Sequence, residues 1–142
     1  MKRTISGSDV LLAVLGCQGK MEGRKRFQKT VFLLRTEKEM PVPYTFIPYL
    51  HGPYSKELQM DLNLLCLLGL VDEKREGFTY QYALTDKGKD ILKGTKKRLS
   101  TEIDSAIRKA CKEYSSIQTP ELVARAKNLQ SSESGMTTPG SH

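Results

Sequence analysis

The sequence predicts a mainly α fold with a small β-hairpin, followed by a C-terminal helical extension. Three observations carry this. Apolar residues recur at three- and four-residue spacing in three separate segments before Gly69. After a glycine-containing turn, Phe78, Tyr80, Tyr82 and Leu84 alternate at period two, the pattern of a half-buried strand. Helix-start signals then reappear at Thr85-Asp86 and at Thr119-Pro120. Three helices, a two-stranded wing and a further helix are the order of a winged helix-turn-helix. That domain with its C-terminal helices is expected over residues 1–130, and 131–142 are expected to be a disordered tail.

The first helix is expected at 8–17, capped by Ser8 or Asp9, with Leu11, Leu12, Val14 and Leu15 on its apolar face and Gly19 beyond its end. The second, 24–37, places Phe27, Val31 and Leu34 on one face and crowds Arg24, Lys25, Arg26 and Lys29 into its first turns. Cations there oppose the helix dipole, which marks them as either a solvated face or a surface for phosphate or an acidic partner. Residues 40–53 hold Pro41, Pro43, Pro48 and Pro53 and cannot be helical throughout, so an extended aromatic segment with room for one short edge strand is expected. Proline suits the first position of a helix, which starts the third helix near Pro53 and runs it to Leu68.

On that helix Tyr54, Leu58, Asp61, Leu62 and Leu65 share one side, and Lys56, Gln59, Met60, Asn63 and Leu67 the other. Strands are expected at 71–75 and 78–84. The next helix starts at Thr85 and carries Ile91, Leu92, Leu99, Ile103 and Ile107, with a break near Gly94-Thr95; a last helix covers 119–129. The expected core is Leu12, Leu15, Phe27, Val31, Leu34, Leu58, Leu62, Leu65, Leu70, Tyr82, Leu84 and Ile91. Gly140-Ser141-His142 has the form of an expression remnant.

The net charge of +7 suggests an anionic partner, but its distribution matters more. Residues 1–50 hold nine basic and four acidic groups, residues 51–85 three and five, and residues 86–130 eleven and six. The middle third, where a helix-turn-helix would read DNA, is therefore acidic. Three cysteines, Cys17, Cys66 and Cys111, fit neither a disulfide framework nor a zinc pattern. A reducing, cytoplasmic location follows as an expectation, and no segment has the length of a membrane span or the form of a signal peptide.

Two stretches are more specific. One is Gly23-Arg24-Lys25-Arg26-Phe27-Gln28-Lys29-Thr30-Val31-Phe32-Leu33-Leu34. The other runs Phe46-Ile47-Pro48-Tyr49-Leu50-His51-Gly52-Pro53-Tyr54-Ser55-Lys56-Glu57-Leu58. Together they resemble the YwgA-type, phage-associated family related to the SocA-like antitoxin (Panacea) domain. The resemblance spans residues 8–129 and implies the fold more firmly than an activity, with Tyr49, His51, Gly52, Pro53 and Tyr54 forming the family-motif turn. It also implies either uncharacterised proteins or antitoxin-type proteins acting through protein contacts.

No catalytic constellation emerges. His51 stands alone in a turn, no glycine-rich phosphate loop precedes a helix, and neither metal nor cofactor is called for. Two non-enzymatic readings remain. In the first, a transcriptional regulator binds double-stranded DNA through Arg24, Lys25, Arg26, Lys29, Ser55, Lys56, Gln59, Asn63, Lys74 and Arg75. Gln59 and Asn63 would read bases there, and the cations would neutralise phosphates. In the second, Met60 and Leu67 meet a protein partner or a second copy, in an antitoxin-like module or a homodimer. A covering helix from the C-terminal extension would explain those two residues equally well.

Overall fold

The computed structural model describes residues 5–137, which form six helices and two small antiparallel sheets. Helix α1 (Gly7–Gln18) is capped by Ser6, whose Oγ accepts from the Asp9 amide. The cap thus lies ahead of the expected Ser8 or Asp9. Asp9 is instead buried and receives the Arg98 guanidinium at 2.9 Å. A short strand β1 (Met21–Glu22) follows, then α2 (Arg24–Glu37). Two residues have no periodicity to detect, so β1 left no trace in the sequence pattern.

Helix α2 is the hub. Phe27 through Leu34 are buried without interruption, so this helix is enclosed on every side rather than amphipathic. Helices α5 (Thr101–Ser115) and α6 (Thr119–Thr137) pack against it, as do β1 and β3 (Gly52–Tyr54). Residues 40–46 then run extended, with Met40, Val42 and Tyr44 buried at period two. The prolines end not in one edge strand but in a small hairpin of β2 (Ile47–Tyr49) and β3. Pro53 belongs to β3. Helix α3 (Lys56–Leu67) therefore starts later than expected, capped by Ser55, whose Oγ accepts from the Leu58 amide.

Strands β4 (Val71–Glu76) and β5 (Thr79–Leu84) pair as the expected antiparallel hairpin, with Val71 opposite Leu84, and β1 adds to the free edge of β5. Phe78 sits in the turn and is 97% exposed, because the strand alternation begins only at Thr79. Helix α4 (Asp86–Arg98) runs unbroken through Gly94-Thr95, and the chain breaks instead at Leu99-Ser100. Of the expected core, ten residues are buried and Leu84 is half-buried. Ile91 is exposed, because the face of α4 turned to the interior carries Leu92 and Thr95.

The join between sheet and α4 explains a motif. Thr85 Oγ1 donates to the Gly69 carbonyl at 2.6 Å and accepts from the Gly88 amide at 3.0 Å, while the Thr85 amide donates to Leu70 O at 3.0 Å. A Cβ on Gly88 would collide with the Leu70 carbonyl oxygen. Leu68-Gly69-Leu70-Val71 and the stretch Leu84-Thr85-Asp86-Lys87-Gly88 thus form one interlocked corner. At the C-terminal end, α6 continues to Thr137, past the expected stop at Leu129. Residues 131–137 of the expected disordered tail are accordingly helical, while 138–142, with the terminal Gly-Ser-His, lie outside the described residues.

Candidate functional site

The polar run Gln28-Lys29 inside α2 holds the family-motif turn in place. The Gln28 amide pairs with the Ser55 backbone in both directions, its Nε2 donating to Ser55 O at 2.9 Å and its Oε1 accepting from Ser55 N at 2.8 Å. Lys29 Nζ donates to Pro53 O at 2.9 Å. Two buried side chains of one helix thus supply the hydrogen bonds that a short hairpin edge lacks. Gly52 has φ +96°, a region that disfavours side chains, and the stems of Lys29 and Lys127 lie against it. Pro53 is buried beside it, and Tyr54 stacks on exposed Tyr49 at 5.2 Å rather than folding into the core.

Burial, with Lys25 and Lys127 nearby, pushes the Lys29 ammonium down to about 8. Lys25 foremost also holds the exposed His51 imidazole below its ordinary value. The turn is thus a cationic corner, with no carboxylate among the groups that shift it.

Two other cations of α2, Arg24 and Arg26, are engaged within the fold. Arg24 Nε donates to the Tyr82 hydroxyl at 3.0 Å, and its guanidinium lies over the Tyr80 ring and 3.7 Å from Glu73. Arg26 donates to Tyr114 O at 2.8 Å and to Thr119 Oγ1 at 3.2 Å, tying α2 to the α5–α6 junction. Lys29 is buried, and only Lys25 of the four points to solvent without such a contact. The expected cationic surface of α2 is therefore mostly internal structure. Tyr114, buried, donates to Glu37, which also takes both arms of Arg125. Sequence reading missed Gln28, Glu37 and Asp9. The signal was present for Gln28 alone, as an amide inside an apolar face.

Helix α3 presents a different surface. Lys56 and Asn63 are exposed, Gln59 is half-buried and donates to Asn63 at 3.0 Å, and Ser55 is buried as the cap. Lys74 and Arg75 lie exposed on β4, with Arg75 Nε donating to Gly77 O at 3.1 Å. Between them runs an apolar stripe in which Met60 is 59% exposed, Leu64 50%, Leu67 84% and Leu68 51%. Asp61 is held at the side by the Tyr44 hydroxyl at 2.6 Å. Neither α5 nor α6 covers the stripe, because α5 packs on α1 and α2 and α6 on α2 and β3.

These features define a small, mostly helical chain with an outward apolar helix face beside an acidic hairpin, and among the described residues no helix is long and apolar enough to cross a membrane. Its sequence is similar to that of the uncharacterized protein YwgA of Bacillus subtilis (strain 168), with 35% identity over 86 residues, covering 58% of this chain and 51% of that protein. The chain thus spans about half the length of that relative. No family model matches. No solved structure matches either.

Proposed function

We propose that this chain is a winged-helix module that works by binding protein, and that the outward face of α3 is its docking surface. The order α1, β1, α2, α3, β4, β5, with the β2–β3 hairpin inserted between α2 and α3 and β1 closing onto β5, supports the winged-helix reading. The stripe Met60, Leu64, Leu67 and Leu68 carries the docking reading. Its i, i+4, i+7, i+8 spacing gives a continuous apolar line along one helix face, and contiguous exposed patches of this kind mark interaction sites.

The occupant is a second copy of the chain. Two α3 helices packed antiparallel about a twofold axis at Leu64 set Met60 of each copy opposite Leu68 of the other, so the stripe is self-complementary. The C-terminal turn of α3 carries no basic residue of its own and presents the negative end of the helix dipole. Burying four such side chains per copy gives about 8–16 kcal/mol before the cost of association, which fits a dimer in the micromolar range. Antitoxin-like neutralisation would use the same stripe on a different protein.

Double-stranded DNA is the second reading, favoured by the exposure of Lys56, Asn63, Lys74 and Arg75 on α3 and β4. Glu57, Asp61, Asp72, Glu73 and Glu76 accompany them, and of the four α2 cations that were to carry phosphate contacts Arg24, Arg26 and Lys29 hydrogen-bond within the fold while Lys25 points to solvent. Sedimentation equilibrium across concentrations decides between the readings, run beside a duplex-DNA titration at several salt concentrations. A dimer lost in Leu64→Asp and Leu67→Asp, with helix content unchanged, supports the proposal. A monomer that binds duplex DNA with a steep salt slope, weakened by Lys56→Ala and Lys74→Ala, overturns it in favour of DNA.

A further inference from the structure

Cys17, near the end of α1, and Cys111, inside α5, lie on two packed helices and line the same groove of about 410 Å³. Gln18 Nε2 donates to the Cys111 carbonyl at 3.2 Å, tying the end of α1 to α5 beside the two thiols. Cys17 is exposed and Cys111 is buried behind it. The groove is walled by Arg108, Lys112 and Ser115 besides Gln18, with no carboxylate in its lining. The Cys111 thiol foremost, helped by Lys96 and Arg108 and opposed by burial and Asp104, brings the Cys17 thiol down to about 7. Cys111 is pushed up by the Cys17 thiol and by burial. Cys66 stands apart on α3, half-buried and raised to about 11 by burial with Glu73 and Asp72 near it.

An exposed thiol, a second thiol buried behind it in the same groove and cations in the groove wall are the arrangement of an attacking and a resolving cysteine. We propose that Cys17 and Cys111 form a reactive dithiol that hydroperoxides oxidise to an intramolecular disulfide joining α1 to α5. The Cys17 thiolate attacks the distal peroxide oxygen and the O–O bond breaks. Cys17 becomes a sulfenic acid, and the departing oxyanion takes a proton to leave as alcohol, or as water from hydrogen peroxide. Cys111 gives up its proton and attacks the Cys17 sulfur. The S–O bond breaks, water leaves and the S–S bond forms. Two thiols are oxidised by two electrons in total, and one peroxide is reduced.

The test is hydrogen peroxide added to the folded chain, followed by thiol counting after denaturation and by non-reducing peptide mapping. Of the three thiols in the sequence, one is expected to remain, at Cys66, with a 17–111 crosslink in a chain lighter by two hydrogens. Iodoacetamide should label Cys17 with half-maximal rate near pH 7 and label Cys66 far more slowly at that pH. Cys111→Ser should stop at a sulfenic acid that dimedone traps on residue 17. Should that variant fail to fold, Cys17→Ser at the exposed position keeps the test open, because it should leave residue 111 unoxidised. A crosslink between chains or through Cys66 overturns the proposal. So does Cys17 oxidation that leaves Cys111 free in the parent, or Cys17 labelling no faster than Cys66.

Discussion

Gly88→Ala tests the corner that joins the sheet to α4. A methyl group there meets the Leu70 carbonyl, with its carbon 3.0 Å away and the Leu84 Cδ2 at 3.3 Å. Leu70 O is backbone and cannot swing aside as a flexible side chain can. Relief requires the first turn of α4 to move off β4, which stretches the Thr85 Oγ1 bond to Gly69 O (2.6 Å) and the Thr85 amide bond to Leu70 O (3.0 Å). Overpacking costs about 1–3 kcal/mol. Two weakened hydrogen bonds add about 1 kcal/mol each. Alanine returns about 1 kcal/mol through helix propensity. The net is a loss of about 2–4 kcal/mol, or roughly 6–12 °C in Tm for a chain of this size. Gly94→Ala is the internal control on the same helix. The nearest heavy atom to its Cβ is Arg98 Nη1 at 3.9 Å, so it should gain up to about 1 kcal/mol. Thermal melts followed by circular dichroism at 222 nm (the standard helix band, roughly) suffice. A Gly88→Ala chain as stable as the parent, with Gly94→Ala no better than Gly88→Ala, would refute the interlock.

Two further expectations concern the motif turn. Gly52→Val forces a β-branched residue to φ +96° and brings its Cβ to 3.0 Å from Lys127 Cγ, so chemical denaturation should report a loss of about 2 kcal/mol; an unchanged midpoint would remove the need for glycine there. Lys29→Met should alter the pH dependence of stability. The folded pKa of Lys29, about 8, lies below its unfolded value, so between about pH 8 and 10 the unfolded chain holds more protons and the parent gains stability as pH rises. The slope is at most about 1.4 kcal/mol per pH unit, the variant lacks that contribution, and parallel curves would contradict it.

The parts of the fold legible in sequence were those built from local signals. Thr85 and Thr119 announce helix starts, Gly69 and Gly77 announce reversals, and the Tyr80–Tyr82–Leu84 alternation places β5 within a residue. What failed depended on distant partners. Nothing near Arg26 says that its guanidinium will meet the carbonyl of Tyr114, and nothing near Lys29 says that Pro53 O will accept its hydrogen bond. A basic first turn reads as a surface because cations are rarely buried unless paired, and here the pairing is with backbone and hydroxyl oxygens that carry no sequence signature. Met60 and Leu67 were legible for the opposite reason. Helical spacing puts them outside whatever the tertiary contacts are, and only the whereabouts of the C-terminal helices was open.

That whereabouts bears on how the stripe on α3 is to be understood. An exposed apolar face in a short chain could reflect a shortage of covering structure, since small domains bury a smaller share of their surface. This chain has no such shortage. Helices α5 and α6 span residues 101 to 137, enough to lie along the twelve residues of α3 more than once, yet α5 packs on α1 and α2 and α6 on α2 and β3. Their placement is fixed by polar locks as well as by apolar contact. Arg26 holds Tyr114 O, Arg125 holds Glu37, and Tyr114 donates to Glu37 from within the core. Sliding the pair over α3 would unmake all of these and leave Glu37 half-buried without its cation, a cost of about 3–5 kcal/mol where the pairing is well desolvated. The extension therefore cannot serve as a lid for Met60, Leu64, Leu67 and Leu68 in this fold. Their burial, where it happens, comes from something other than α5 and α6.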